Sequence, residues 1–166
     1  MDAPVSNDSA PWALIALGSN LGDATKNIRE AMDRLEALST TRLRRSSLYQ
    51  TEPVHCPPGS PPFVNAAVAL MPLPGETPES LLEKLQAIEK AFGRQPKKLP
   101  NEPRPLDLDL IAFGTETRNT VQLTLPHPRA HLRRFVLEPL AEISPDFVLP
   151  GQNRTMQELF FEMRKS

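Results

Sequence analysis

Residues 106–113 read Leu-Asp-Leu-Asp-Leu-Ile-Ala-Phe, and the fold is decided by what this octet can be. Its first five positions alternate apolar and acidic, the period of a strand with one face turned to a core. Asp107 and Asp109 then share a face, with Cα atoms roughly 6.6–6.8 Å apart by strand geometry. Side-by-side carboxylates repel, so an apolar strand that carries both points to a compensating cation. Mg²⁺ takes one or two carboxylates with phosphate oxygens and water, which suits this donor set. Two solvated carboxylates on an exposed sheet face are the plainer alternative.

Moving towards the N-terminus, residues 77–93 carry helix punctuation. Thr77 is placed as an N-cap with Pro78 at the first helical position, Leu81, Leu82, Leu85, Ile88 and Phe92 form a stripe, and Gly93 suits a C-cap. Residues 63–71 (FVNAAVALM) predict a second long strand, ended by Pro72 and Pro74, which lack backbone donors. Residues 41–51 read as extended. Asp23 is placed to cap a helix whose stripe is Ile28, Ala31, Met32, Leu35 and Leu38, and residues 12–17 (WALIAL) predict a buried first strand stopping at Gly18. The order β-α-β-β-α-β is the split unit of ferredoxin-like folds. The expected class is therefore α+β: a ferredoxin-like core with a largely antiparallel sheet and helices packed on it. Downstream, a short strand near residues 121–125, helical turns over 130–141 and a last helix opened by a Thr155–Glu158 capping box extend it. Residues 1–11 read as a polar, disordered arm, and 12–166 as a single domain.

Composition narrows the function. The chain has 166 residues and a formal net charge of −1, too little basic surface for a dedicated duplex binder. A lone cysteine, Cys56, excludes an intramolecular disulfide framework and a cysteine-rich zinc site. Apolar runs such as residues 66–71 fall far short of the ~20 residues of a membrane span, and no basic-then-apolar leader opens the chain. The expectation is a cytoplasmic monomer with neither a membrane nor a nucleic acid as partner. Gly18-Ser19-Asn20-Leu21-Gly22 lacks Rossmann spacing, and no Gly-Lys-Ser/Thr string occurs, so any ATP site works without a P-loop.

Arg104 stands three residues before Asp107, Arg94 follows Gly93, and residues 126–135 hold His127, Arg129, His131, Arg133 and Arg134. Alone, such charges read as a solvated surface; beside an Asp–Mg²⁺ site they read as a polyphosphate clamp. Asn65 is polar in an apolar strand and needs a partner, either backbone or a planar heterocycle. A rival reading is a non-catalytic ferredoxin-like RNA- or nucleotide-binding module using residues 129–134. An Asp pair on the sheet face, where such readers carry aromatic residues, opposes it.

These segments resemble the 6-hydroxymethyl-7,8-dihydropterin pyrophosphokinases of folate biosynthesis. The matching stretches are ALGSNLGD (16–23), SSLYQTEPV (46–54), FVNAAVAL (63–70), IEKAFGR (88–94), PRPLDLDLIAFG (103–114) and LTLPHPRAHLRRFVLEPLAEISP (123–145). The resemblance implies transfer of pyrophosphate from ATP to the pterin hydroxymethyl group, with AMP leaving. It implies two Mg²⁺ ions on Asp107 and Asp109, with Arg94 and Arg104 as further catalytic groups. It places the pterin at Thr51, Pro53, Val54, Phe63, Asn65 and Phe135, and ATP at Glu89, Arg94, Arg104, Leu110, His127 and Arg133. By the resemblance, Pro96 stands where some members carry an arginine, Asn101 where some carry a tryptophan, Pro128 where a tyrosine is often found, and Gln122 at a position that can be basic. Nine of the 19 prolines lie in residues 51–62 and 94–105, the loops that by resemblance cover the substrates, and they predict stiff, preorganised lids.

Overall fold

The computed structural model describes residues 5–7, 11–51, 58–59, 61–93 and 105–165. Strand β1 (Ala13–Ser19) is buried at every position, as a strand must be when it has neighbours on both edges and packing on both faces. It pairs antiparallel with β4 (Phe63–Leu70) on one side and β5 (Asp107–Phe113) on the other. The short strands β2 (Arg44–Arg45) and β3 (Tyr49–Thr51) occupy the far edge of β4. The resulting order, β2/β3–β4–β1–β5, is the antiparallel ferredoxin-like sheet expected from the sequence.

Helix α1 (Ala24–Glu36) starts where Asp23 accepts a hydrogen bond from the Lys26 amide, 3.1 Å. It buries Ile28, Ala31, Met32 and Leu35; Leu38 lies past its end but still packs partly buried on the same core. Helix α2 (Pro78–Ala91) has Thr77 and Ser80 capping each other reciprocally. Leu81 and Leu85 are buried, and Leu82, Ile88 and Phe92 pack at the margin. Both helices cover the face bearing Ile15, Leu17, Val68, Leu70, Leu108 and Leu110. The opposite face, with Leu14, Ala16, Ala67, Ala69 and Ile111, is covered by α3 (Arg134–Ile143) and α4 (Met156–Lys165). Thr155 and Glu158 exchange hydrogen bonds at the start of α4, the capping box expected there.

Three expectations need correction. The extended stretch 41–51 is two strands: Arg45 faces Val68 but Tyr49 faces Asn65, so residues 46–48 oppose only 66 and 67. That is a β-bulge. The strand near 121–125 shrinks to Thr124–Leu125 (β7), paired with Arg118–Asn119 (β6), because Thr120 closes a tight turn on Leu123 and leaves Val121 at an exposed tip. The arm is not disordered at residues 5–7. Val5 is only 4% exposed within the α3/α4 core, and the Asn7 side chain pairs with the Val148 backbone through two bonds of 2.9 and 2.8 Å. A run read as polar thus contributes one apolar anchor. Residues 130–141 fold as a 3₁₀ turn, Ala130–Leu132, followed by α3. Among the described residues no helix is long and apolar enough to cross a membrane.

Candidate active site

The register assembles the site. Asp107 faces Gly18, Gly18 faces Asn65, and Asn65 faces Tyr49, so one row crosses four strands. One step along, Asp109 faces Ala16 and Ala16 faces Ala67. With strands 4.7–4.9 Å apart, the Asn65 and Asp107 backbones lie roughly 10 Å apart, and between them is a residue with no side chain. A Cβ on Gly18 would sit 3.4 Å from Asn65 Oδ1 and 3.8 Å from the Phe63 ring. The floor is therefore lowered where an amide, an aromatic ring and a carboxylate converge.

Asn65 is 4% exposed and donates through Nδ2 to Thr51 Oγ1, 2.8 Å. Its first partner is thus a side chain on β3, neither the backbone nor, in the protein alone, a heterocycle. Phe63 is half-buried two residues earlier on the same face. Phe135, in the first turn of α3, is 42% exposed, with the Arg133 guanidinium 5.8 Å from its ring centroid. Phe63 and Phe135 do not pack against each other: the ring pair in contact among the described residues is Phe160–Phe161.

The other half of the site lies along β5. A cleft of about 260 Å³ is lined by Leu82, Leu108, Asp109, Leu110, Gln122, Leu123, Thr124, His127 and Pro128, with Val121 at its rim. Its leucines and Val121 share the lining evenly with polar groups, Asp109, Gln122, Thr124 and His127. The Glu89 carboxylate, 8% exposed, accepts the Leu108 amide at 2.7 Å. That amide lies between the two aspartates, so α2 fixes the stretch of strand that spaces them. The His127 amide donates to the Ile111 carbonyl, 2.9 Å, which anchors the segment before α3 to β5. His127 Nδ1 accepts from the Arg129 amide, 3.2 Å, leaving the ring proton on Nε2. Burial first, then Arg133 and Arg129, hold the His127 pKa below its ordinary value against an opposing pull from Asp107. The ring is accordingly neutral at pH 7.

Among the described residues no three His, Cys, Asp or Glu side chains cluster as a closed metal site. The two-carboxylate set of Asp107 and Asp109 nonetheless fits Mg²⁺, whose remaining ligands are characteristically phosphate oxygens and water. Pro53, Val54, Arg94 and Arg104, and the departures Pro96 and Asn101, lie outside the described residues, as do most of the two proline-rich loops. The structure thus brings together Asn65, Thr51 and Phe63 on one side, and Asp109, Leu110 and His127 on the other, with Asp107 on the shared row.

A family model for 7,8-dihydro-6-hydroxymethylpterin-pyrophosphokinase (HPPK) matches residues 14–145. The chain belongs to this family. A 2-amino-4-hydroxy-6-hydroxymethyldihydropteridine pyrophosphokinase of Pseudomonas aeruginosa is 42% identical over 146 residues, covering 87% of each protein. Its counterpart in Synechocystis is 37% identical over 161 residues, covering 95% of this chain and 80% of that one. The fold agrees with an HPPK-DHPS crystal structure in complex with substrates, at TM-score 0.72 and 12% identity over 93% of this chain. The chain spans 45% of that two-part protein, and 19% of the folic acid synthesis protein fol1 of Pneumocystis carinii, to which it is 40% identical. It therefore spans only part of these longer proteins. Within the family frame, the departures Gln122 and Pro128 both line the cleft beside His127.

Proposed function

We propose that this chain transfers the pyrophosphoryl group of ATP to 6-hydroxymethyl-7,8-dihydropterin, releasing AMP, at the open end of the sheet face that carries Asn65, Asp107 and Asp109. Pyrophosphoryl transfer in folate biosynthesis is the chain's activity by its family and by relatives of matching length, with ATP the co-substrate of a kinase of this kind. The rival RNA-binding reading has no such support. The observation that carries the assignment of the site is the Asn65–Gly18–Asp107 row.

In this reading the pterin lies over Gly18, with its polar edge at Asn65 and its faces against Phe63 and Phe135, an arrangement suited to offset stacking. Thr51 holds the Asn65 amide in one orientation, and Pro53 and Val54 are assigned to the pterin on the family resemblance alone. ATP occupies the cleft, its base against Leu110 and neighbouring leucines and its phosphates towards Asp109, His127 and Arg133. Neutral His127 offers one Nε2 proton to a phosphate oxygen. Glu89 keeps the Asp107–Asp109 spacing by holding the Leu108 amide. Asp107 and Asp109 would hold two Mg²⁺ ions, which would supply neutralisation of phosphate charge during transfer. Arg94 and Arg104 are assigned as further cations for the phosphates on the family resemblance alone. The protein's own work is to align the pterin hydroxyl with the β-phosphorus opposite the departing oxygen.

The test is AMP formation from ATP as a function of added hydroxymethyldihydropterin. AMP appearing one-for-one with pterin diphosphate supports the assignment; ATP turnover indifferent to pterin overturns it. In the Phe135→Ala chain, calorimetry should show pterin affinity falling at least tenfold with ATP affinity nearly kept. Equal losses would remove Phe135 from the pterin seat.

A further inference from the structure

The bulge at residues 46–48 changes which side chains reach the substrate face. Arg44 faces Ala69 and stacks on Trp12, both on the α3/α4 side. Tyr49 is an odd number of residues further on, so an unbroken strand would turn it to the opposite face. Instead Tyr49 faces Asn65 and Thr51 faces Phe63, back on the α3/α4 side, while Leu48 packs with the α1/α2 core. Without the extra residue, Thr51 would point away from Asn65 and their hydrogen bond could not form.

The bulge is held locally by the Ser46 hydroxyl, which donates to the Ser47 carbonyl at 2.7 Å, and from another element by one carboxylate. The Ser46 amide stays in the ladder, bonded to the Ala67 carbonyl at 2.9 Å, and Ser46 Oγ accepts the Ala67 amide at 2.8 Å. The Ser47 amide instead donates to both oxygens of Glu142, at 2.9 and 3.1 Å. Ser47 Oγ donates to Glu142 Oε2 at 2.9 Å, and Tyr49 Oη donates to Oε1 at 2.5 Å. Glu142 lies in the last turn of α3, whose first turn carries Phe135. Glu142 therefore adds a tie from outside the strand to the register that presents Thr51 to Asn65, and joins that strand to the helix bearing Phe135.

We infer that Glu142, acting through Ser47 and Tyr49, is a positioning residue for the pterin half of the site. The inference rests on the placement of the pterin at Asn65 proposed above. Glu142→Gln keeps the size of the side chain but replaces one acceptor oxygen with a donor, so the shared Ser47 bonds cannot all persist. The expected result is a KM for pterin raised at least tenfold, a KM for ATP within about twofold, and kcat at saturating pterin reduced less than the pterin KM rises.

The chain contains one tyrosine, so absorbance near 295 nm reads Tyr49 alone. Burial first, then the Glu142 hydrogen bond and the charges of Glu142 and Glu138, push its pKa well above the ordinary phenol value. In Glu142→Gln the alkaline titration should begin at lower pH, which shows that the clamp has opened. Tyr49→Phe removes one of its bonds and should shift the pterin KM in the same direction by a smaller factor. If Glu142→Gln fails to fold, Tyr49→Phe decides alone: an unchanged pterin KM overturns the inference. Asn65→Ala separates the two claims. Loss of pterin binding there, with Glu142→Gln and Tyr49→Phe at wild-type pterin KM, sinks the clamp and keeps the site; wild-type pterin KM in all three sinks both.

Discussion

The two faces of the sheet are built from the same strands and are finished differently. Under α1 and α2 the strands supply Ile15, Leu17, Val68, Leu70, Leu108 and Leu110, and the helices answer with Ile28, Leu35, Leu81 and Leu85, all buried. Under α3 and α4 the strands supply Leu14 and Ile111 together with the smaller Ala16, Ala67 and Ala69, and past the alanines the face presents Gly18, Asn65 and Asp107. One face is closed by branched aliphatic packing; the other is closed at one end and left low and polar at the other. Large side chains interdigitate and stabilise, whereas small and absent ones leave space that a ligand can fill. The pterin row and the aspartates thus lie on one side of the strands, while the ATP cleft reaches around β5 to Leu82, Leu108 and Leu110 on the other, and substitutions deep in the α1/α2 core and at the open end should fail in different ways.

The sharpest division is expected at Asp107→Ala and Asp109→Ala. Each should cost several kcal/mol of transition-state stabilisation, the scale of losing metal-ion catalysis, with little change in thermal unfolding. Leu85→Ala should do the converse, lowering stability by about 2–5 kcal/mol while the remaining folded chain keeps its turnover. If Leu85→Ala reduced turnover per folded molecule as strongly as the aspartate variants, the division between faces would be lost. Thr77→Ala removes one half of the capping exchange at α2 and should cost about 1 kcal/mol, read as a small shift in denaturation midpoint at constant activity.

The smallest effect concerns pH. The folded pKa of His127 lies below its unfolded value, so between the two the unfolded chain binds more protons and stability rises with pH. The His127 contribution is present above the unfolded value, near 6.5, and is lost as pH falls through the lower folded one. His127→Gln should flatten the stability profile over that window. An unchanged slope would mean that the ring titrates normally.

Much of this was legible in residue order because its physics is local. Asp23, Thr77 with Pro78, and Thr155 with Glu158 announce helix starts through bonds to amides a few residues away. The alternation of residues 106–110 places Asp107 and Asp109 on one face whatever lies opposite. The bulge at 46–48 was not legible, because the chain reads as extended on both sides and the shift exists only relative to β4. The Glu142 clamp joins residues more than 90 positions apart, and neither end carries a motif. Val5 and Asn7 look like part of a polar arm until the Val148 backbone is brought beside them. Glu89 reads from the sequence as a nucleotide contact, and only the folded chain reveals its bond to the Leu108 amide. Gly18 could have been weighed further: it ends an apolar run, and once β1 is paired with both β4 and β5 its missing side chain falls between Asn65 and Asp107.

That gap is the centre of the account, and it can be filled without replacing any polar side chain. A Cβ at Gly18 meets Asn65 Oδ1 at 3.4 Å, the near edge of ordinary contact, so Gly18→Ala should fold; Gly18→Val adds two further methyls and is titrated once circular dichroism shows the wild-type fold. The decisive measurement is calorimetric titration of hydroxymethyldihydropterin into each variant with Mg²⁺ and a non-hydrolysable ATP analogue present. The account expects pterin affinity to fall stepwise, by roughly tenfold for alanine and about a hundredfold or more for valine (about 1.4 kcal/mol per tenfold), while the analogue binds as in the wild type. Wild-type pterin affinity in a folded Gly18→Val chain would contradict it.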